Sequence, residues 1–372
     1  MYKPEYQITN TLLKYISEIE SARSLIESAP LLPRYERKFQ KEATIRKVHF
    51  STAIEDNYLY LNEVEKLVKT TDTDDEANDP TPKYNTEIIK KEIDTAGLPV
   101  VARSRDIHEV INYRELMSFF DKLLKDFELP FSLSKETLFD MHKVLLKNIM
   151  DDKSGMFRTE KAVTVNFITK EKLDIYEATE TVPQKVEELL DWYNTSVDVH
   201  PVIKAGLLHL ELARIHPFNE GNGRMARATA TLTLSAEGYG VKNFFCLDEY
   251  YDSNSEDYYT NLGIGFDNPT PWLEYFSLGM AIEFNRVKDR VLKISKDAKI
   301  KEQTGQNFIT ERQEEIIEWI NDHGYFMNKD FLALFPDISD DTVLRELKGL
   351  IEYGIIKKVG KTKSSRYELI KA

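Results

Sequence analysis

The segment His216 to Arg227 reads HPFNEGNGRMAR, and its residue types are those of a site that handles phosphate beside a hydroxyl. Gly221, Asn222 and Gly223 stand just ahead of a helical stretch. Such positions let consecutive backbone N–H groups converge on an anion, and the helix N-terminus adds a favourable dipole. Arg224 and Arg227 are three apart, so both can face the same end of that helix. Guanidinium groups take phosphate oxygens bidentately. Glu220 is an acid inside an anion-seeking loop, which makes sense if it holds Mg²⁺ and the ion's other ligands are water and phosphate. His216, at the entrance, can take a proton from an attacking hydroxyl near neutral pH. The bland alternative is a helix–loop–helix turn with incidental charges. The coincidence of a base, a metal ligand, a phosphate nest and two cationic clamps argues against it.

HPFNEGNGRMAR resembles the signature of the Fic family, H-P-F-x-[DE]-G-N-G-R-x-x-R, without departure. The preceding HPVIKAGLLHLELARI (200–215) resembles the helix that leads into that signature. The resemblance runs from about 30 to 290 and is strongest from 155 to 260. It implies a Fic-type helical core with a small β-hairpin flap, and transfer of AMP from ATP to a Ser, Thr or Tyr hydroxyl of a protein, the chain itself included. It assigns His216 as general base, Phe218 as the loop's anchor in the core, and Glu220 as the Mg²⁺ ligand bridging the α- and β-phosphates. It assigns Gly221, Asn222 and Gly223 to the phosphate cradle, Arg224 to the β- and γ-phosphate region and Arg227 to the γ-phosphate. Met225 and Ala226 fall within the same nucleotide-binding stretch. Val165, Asn166, Phe167 and Ile168 match the flap that clamps a target chain by strand addition. Tyr258 and Tyr259 match a paired-tyrosine position at the adenine pocket; two core aromatics on one helix is the competing reading. The resemblance also leaves room for transfer of UMP or phosphocholine, for phosphorylation, or for removal of AMP. A DNA-binding regulator with a Fic-like sensor core is the reading from another class. No protein target is named by the residues.

Family members of this layout carry an inhibitory helix with S/T-x-x-x-E-G/N. Ser51-Thr52-Ala53-Ile54-Glu55-Asp56 resembles it, with Asp56 where Gly or Asn is usual. If Glu55 pairs with Arg227, that arginine cannot also hold a γ-phosphate. Thr52 and Glu55 equally fit the T-x-x-E capping box of a helix start.

These residues need elements to position them, and the periodicity supplies mostly helices. Helical spacing covers 8–28, 52–70, 105–127, 135–148, Pro183–Tyr193, Val202–Ile215, 224–236 and 256–292. Alternation and β-branching after Gly155-Met156-Phe157-Arg158 predict a short hairpin across 162–168. The acidic Thr71–Asn85 reads as an exposed loop, and the polar Asp297–Asn307 as a linker. The expected organisation is an N-terminal helical region over 1–104 carrying the inhibitory helix, a catalytic domain over 105–296, and a C-terminal module over 308–372.

That module resembles a winged helix-turn-helix. Thr310 and Gln313 predict a capping box. Short helices are expected at 328–334 and from Ser339 to Gly354, then strands at Gly354–Val359 and Ser365–Ile370. Thr342, Arg345 and Lys348 can face a groove, and the wing Lys357–Arg366 has five basic residues and no acid. Asp340 and Asp341 at the helix entrance disfavour DNA, so a protein-interaction or dimerisation module competes with DNA binding.

Composition sets the outer bounds. The 372 residues carry a net charge of −13, which argues against wholesale coating of nucleic acid. One cysteine, Cys246, can form neither an internal disulfide nor a thiolate metal cluster. With no apolar leader and no run of about 18 apolar residues, a cytoplasmic protein that spans no membrane is expected.

Overall fold

A computed structural model describes residues 2–29, 31, 33–71, 102–125, 131–162, 164–165, 172–173, 176–303, 310–335, 338–360 and 365–370. The chain divides into two compact units, Met1–Leu292 and Lys293–Ala372. The first is almost wholly helical. Its helices are α1 (Asn10–Ser28), α2 (Pro33–Ala53), α3 (Leu61–Thr71), α4 (Ser104–Lys125), α5 (Lys135–Leu146), α6 (Val182–Thr195), α7 (Pro201–Ile215), α8 (Asn222–Leu234), α9 (Asp248–Ser253), α10 (Ser255–Asp267) and, as far as Leu292, α11 (Pro269–Gln303).

α7 and α8 form the centre. Every residue of α7 from Val202 to Ile215 except Arg214 is buried, and α8 is buried along its length. A helix apolar or small on all sides has no solvent face and must lie inside. α7 opens with Pro201 at its first position and His200 as cap, whose Nδ1 accepts from Val202 N. It closes at His216 in the left-handed region, φ 53°. Gly221, φ 76°, then turns the chain into α8. The functional loop is thus strung between two buried helices.

Three expectations change. The helical stretch 52–70 is not one element: α2 ends at Ala53 and α3 begins at Leu61. Thr52 is not an N-cap, because its hydroxyl donates back to the carbonyls of Val48 and His49. The capping-box reading of Thr52 and Glu55 therefore falls: they close a helix. The end is a Schellman motif, with Asp56 N donating to Ala53 O and Asn57 N to Thr52 O. α2 itself has no counterpart in the periodicity, because its inner face includes Lys47, Ser51 and Thr52, all buried. The stretch 256–292 breaks at Asn268, whose backbone is extended at φ −139°. Pro269 follows, and the residue before a proline is pushed out of the helical region.

The hairpin pairs β1 (Thr164–Val165) antiparallel with β2 (Lys172–Leu173). Asn166, Phe167 and Ile168 lie outside the described residues. So do 72–85 of the expected acidic loop and 304–307 of the expected linker, whereas 297–303 continue α11.

The second unit contains α12 (Glu311–His323), β3 (Phe326–Met327), α13 (Phe331–Leu334), α14 (Asp340–Glu352), β4 (Ile356–Val359) and β5 (Arg366–Leu369). Thr310 and Gln313 form the capping box. The antiparallel sheet runs β3-β5-β4, so a strand absent from the sequence reading, β3, covers the edge of β5. Ile316, Phe326, Val343, Leu350 and Ile356 make the core. Each such side chain, fully buried, contributes roughly 1.5–3 kcal/mol. No described helix is long and apolar enough to cross a membrane.

Candidate active site

The loop from His216 to Gly223 is held from several sides. Arg158, buried, donates from Nε to His216 O at 2.7 Å, and its backbone N donates to Pro217 O at 2.8 Å. Its other nitrogens reach Thr179 Oγ1 and the carbonyl of Glu177. Phe218 is 1% exposed and stacks on His142, centroids 3.9 Å apart. Asn222 closes the turn by accepting from Phe218 N and donating to Phe218 O. His142 Nε2 lies 3.0 Å from Glu220 O, and Nδ1 accepts from Gly155 N at 2.9 Å, so Nε2 carries the proton. Burial, reinforced by the charge of Arg224, pushes His142 down to about 3, so this brace stays neutral.

His216 sits at the mouth. Its ring stacks on Tyr176 at 3.9 Å, and Nδ1 lies 3.4 Å from Ala213 O. With the proton on Nδ1, Nε2 presents a lone pair and makes no hydrogen bond among the described residues. Burial pushes the imidazole down to about 4 against the opposing pull of the Ala213 carbonyl. It is therefore an unprotonated base at neutral pH.

Two buried arginines stand at the start of α8. Arg224 Nη1 is 3.3 Å from Glu109, and Nη2 is 3.7 Å from Glu220. Arg105 in turn grips the carboxylates of Glu220 and Glu109. Arg227 Nη2 donates to Glu55 Oε1 and to Ser51 O, both at 2.9 Å, and Nε lies 3.2 Å from Asp248. Even so, Arg224 Nε and Arg227 Nη1 are buried without an acceptor, and Arg224 Nη1 meets Glu109 as an ion pair without hydrogen-bond alignment. Buried donors without acceptors are costly. These donors suit a further anion. The Glu55 carboxylate lies against the α-carbon of Gly223, where any added Cβ would collide with it. Burial pushes Glu55 up, but Arg227 and Arg224 together hold it below the usual carboxylate range, so it stays ionised. A carboxylate thus occupies the helix N-terminus, a place that favours an anion.

Residues 132–234 match the Fic/DOC family. Those residues of the chain carry a Fic/DOC domain. Protein adenylyltransferase fic-1 of Caenorhabditis briggsae is 22% identical over 235 residues, 62% of this chain and 39% of that protein. The Caenorhabditis elegans protein of the same name is 23% identical over 206 residues, 55% and 34%. The chain thus spans between a third and two fifths of those relatives. Among solved structures, a Fic family protein from Desulfovibrio desulfuricans superposes with a TM-score of 0.64 at 22% identity, covering 99% of this chain and 98% of that one. C. elegans Fic-1 (residues 134–508) gives 0.55 at 20% identity, covering 77% and 74%. These likenesses establish the fold.

The Fic loop brings His216, Glu220, Gly221, Gly223, Arg224 and Arg227 together with Ser51 and Glu55, about 170 positions upstream of Arg227. Tyr258 is buried, with its hydroxyl 2.9 Å from His209 Nε2; Tyr259 is half exposed and donates to Ile54 O. One is thus a core aromatic and the other faces the site. Met225 and Ala226 are packed in the hydrophobic core, and Met225 N is already bonded to Gly221 O, so their side chains are taken up by the core. Sequence reasoning missed Arg105, Glu109, Asp248, His142 and Tyr176. Their one signal is charge on the inner face of a helix: Asp106 and Glu109 sit within the first turns of α4 and are buried.

Proposed function

We propose that the chain transfers AMP from ATP to a Ser, Thr or Tyr hydroxyl of a protein, and that Glu55 holds this activity down. The observation that carries the reading is the pair of buried arginines with donors to spare, at a helix N-terminus, beside an unprotonated His216. The names of the relatives support it. In the step, the target oxygen attacks the α-phosphorus and the bond from that phosphorus to the bridging oxygen breaks. Pyrophosphate leaves, and the hydroxyl proton goes to His216 Nε2. Arg224 and Arg227 serve the outer phosphates once their carboxylate partners let go. Glu220 would hold Mg²⁺, which supplies positive charge to the phosphate oxygens. One carboxylate suits an ion that keeps water and phosphate as its other ligands. Among the described residues no cluster of three or more acidic, His or Cys side chains forms a separate metal cage.

An arginine cannot serve a carboxylate and a γ-phosphate at once, so the Glu55–Arg227 pair favours an idling enzyme. Initial rates of AMP transfer should rise at least about tenfold in Glu55→Gly, a gain of about 1.4 kcal/mol at the transition state. Adding Arg227→Ala should remove the gain, because the clamp itself is then missing. Equal or slower transfer by a Glu55→Gly protein with an unchanged melting curve rules the brake out.

The C-terminal unit we read as a winged helix. Lys357 and Arg366 lie 4.0 and 2.6 Å from Glu368, a strand neighbour just past the wing. That carboxylate lowers the wing's available charge and favours docking of a protein over DNA; strong, salt-dependent retention on random duplex DNA would reverse the preference.

A further inference from the structure

The contact between α2 and α8 has a second end. On α2 and its closing turn, Lys47, Ser51 and Glu55 are spaced by four. On α8 and the turn after it, Arg227, Thr231 and Ser235 are spaced likewise, so each trio lies along one face. At one end of this seam Arg227 meets Ser51 and Glu55. At the other the helices part around a cavity of about 590 Å³. Its lining includes Lys47, Thr231 and Ser235, with apolar Met117 and Phe120 of α4.

Lys47 is the anomaly. It is 6% exposed and has neither a hydrogen bond nor an ion pair among the described residues; its ammonium lies 5.0 Å from the ring centre of Phe245. Burial pushes its pKa down. A buried ammonium without a counter-ion is expensive unless a ligand supplies the anion. Lys125 and Lys242 also line the cavity, Lys242 already paired with Glu36 at 2.6 Å. Asp121 is the one carboxylate in the lining and accepts from Asn243 Nδ2. The rim carries a second oddity. Val241, Lys242 and Asn243 are all left-handed, at φ 45°, 55° and 62°. This is rare for non-glycine residues and rarest for a β-branched one. Such backbone persists where the surroundings over-determine it, as in ligand clamps. Gln40 of α2 holds the turn by donating to Lys242 O.

We propose that this cavity binds a small organic anion, a carboxylate or phosphate on an apolar body, with Lys47 as its counter-charge, and that its occupancy moves α2 and so alters the hold of Ser51 and Glu55 on Arg227. The binding site stands on its own geometry; its effect on activity rests on the reading of Glu55 as a brake.

The test is calorimetric titration of the full chain with phenyl phosphate and with benzoate, which separates phosphate from carboxylate. At least one should bind saturably. Lys47→Met should weaken that binding at least about tenfold. This variant loses a buried unpaired charge and is expected to fold. Thr231→Leu, which fills the cavity and leaves Lys47 in place, should abolish binding. Hydrogen exchange of amides 50–57 should change on adding the bound probe to the wild type and not to Lys47→Met. No saturable binding of either probe, or undiminished binding in both variants, overturns the site. Binding that leaves exchange at 50–57 unchanged overturns the coupling to α2. None of these readouts involves AMP transfer, so a failure here is distinct from a failure of the proposed reaction.

Discussion

The proposed role of His216 as base needs an unprotonated imidazole, and its surroundings keep it so. Burial outweighs the Ala213 carbonyl and the imidazole titrates near 4. A group whose folded pKa is depressed keeps its neutral form at every pH above that value. The rate of AMP transfer by the released Glu55→Gly enzyme should therefore hold up as pH falls through 6.5, and decline only towards 4 to 5. An acid limb centred on 6.5 would show that the reactive imidazole is solvated. His216→Ala should lower the rate by about 10²–10⁴-fold and leave ATP binding largely intact, because the base acts on the hydroxyl. The gathering of the loop residues at one place was readable from the sequence because they are contiguous and their types admit few other uses. The partners of Arg224 and Arg227 were not. Glu109 and Asp248 lie 115 and 21 positions away, and a charge on a helix face does not say which arginine it will meet. Which carboxylate meets a buried arginine is decided by packing between helices.

α2 shows how an element can be both invisible to periodicity and central to the site. Its inner face mixes Phe39, Ala43 and Val48 with Lys47, Ser51 and Thr52. A count of apolar positions therefore returns a charged, unremarkable stretch. Only the short motif at its end gave it away, and even that was compatible with a helix start. The Schellman ending explains the motif's last position. Asp56 is the left-handed residue, φ 62°, where glycine has no Cβ to clash and asparagine is tolerated. Its carbonyl accepts from Arg103, and Asn57 beside it donates to Glu109, the partner of Arg224. The helix end thus touches the partners of both arginines. Asp56→Gly should relieve the backbone and stabilise the fold by about 0.5–1 kcal/mol. That corresponds to roughly 1–4 °C in a melting curve. Its AMP transfer should not exceed that of the wild type. A lower melting temperature would mean that the Asp56 side chain makes a contact worth more than the strain it carries.

Burial of ionisable groups along the central helices carries over to the stability of the folded chain. His142 and His216 are held near 3 and 4, and His209, enclosed by Trp272, Tyr251 and Tyr258, well below its ordinary value, in each case chiefly by burial. In the unfolded chain all three titrate near 6.5. Between about 6.5 and 4 the unfolded state therefore holds protons that the folded state refuses. The stability these groups contribute is complete above 6.5 and is lost as pH falls through that window. Glu283 works in the opposite sense: burial holds it up near 7, so between 7 and 4.5 the folded state keeps a proton that the unfolded state has released. These three histidines against this one carboxyl leave an excess of about two protons on the unfolded side near pH 5.5, to which His49 and His200, lowered by burial, add and from which Asp248 and Asp252, raised by burial, subtract. An excess of about two protons is a slope of about 3 kcal/mol per pH unit. Stability of that order is a large part of what a folded chain has in hand. The melting temperature should drop steeply from pH 6.5 to pH 5, and much less from 8 to 7. His209→Gln, which keeps a group able to bond the Tyr258 hydroxyl but cannot take up a proton, should flatten the drop. A melting temperature that stays level or rises as pH falls from 6.5 to 5 would mean that the buried carboxyls, Glu283 and Asp248, outweigh the histidines at the heart of the helical unit.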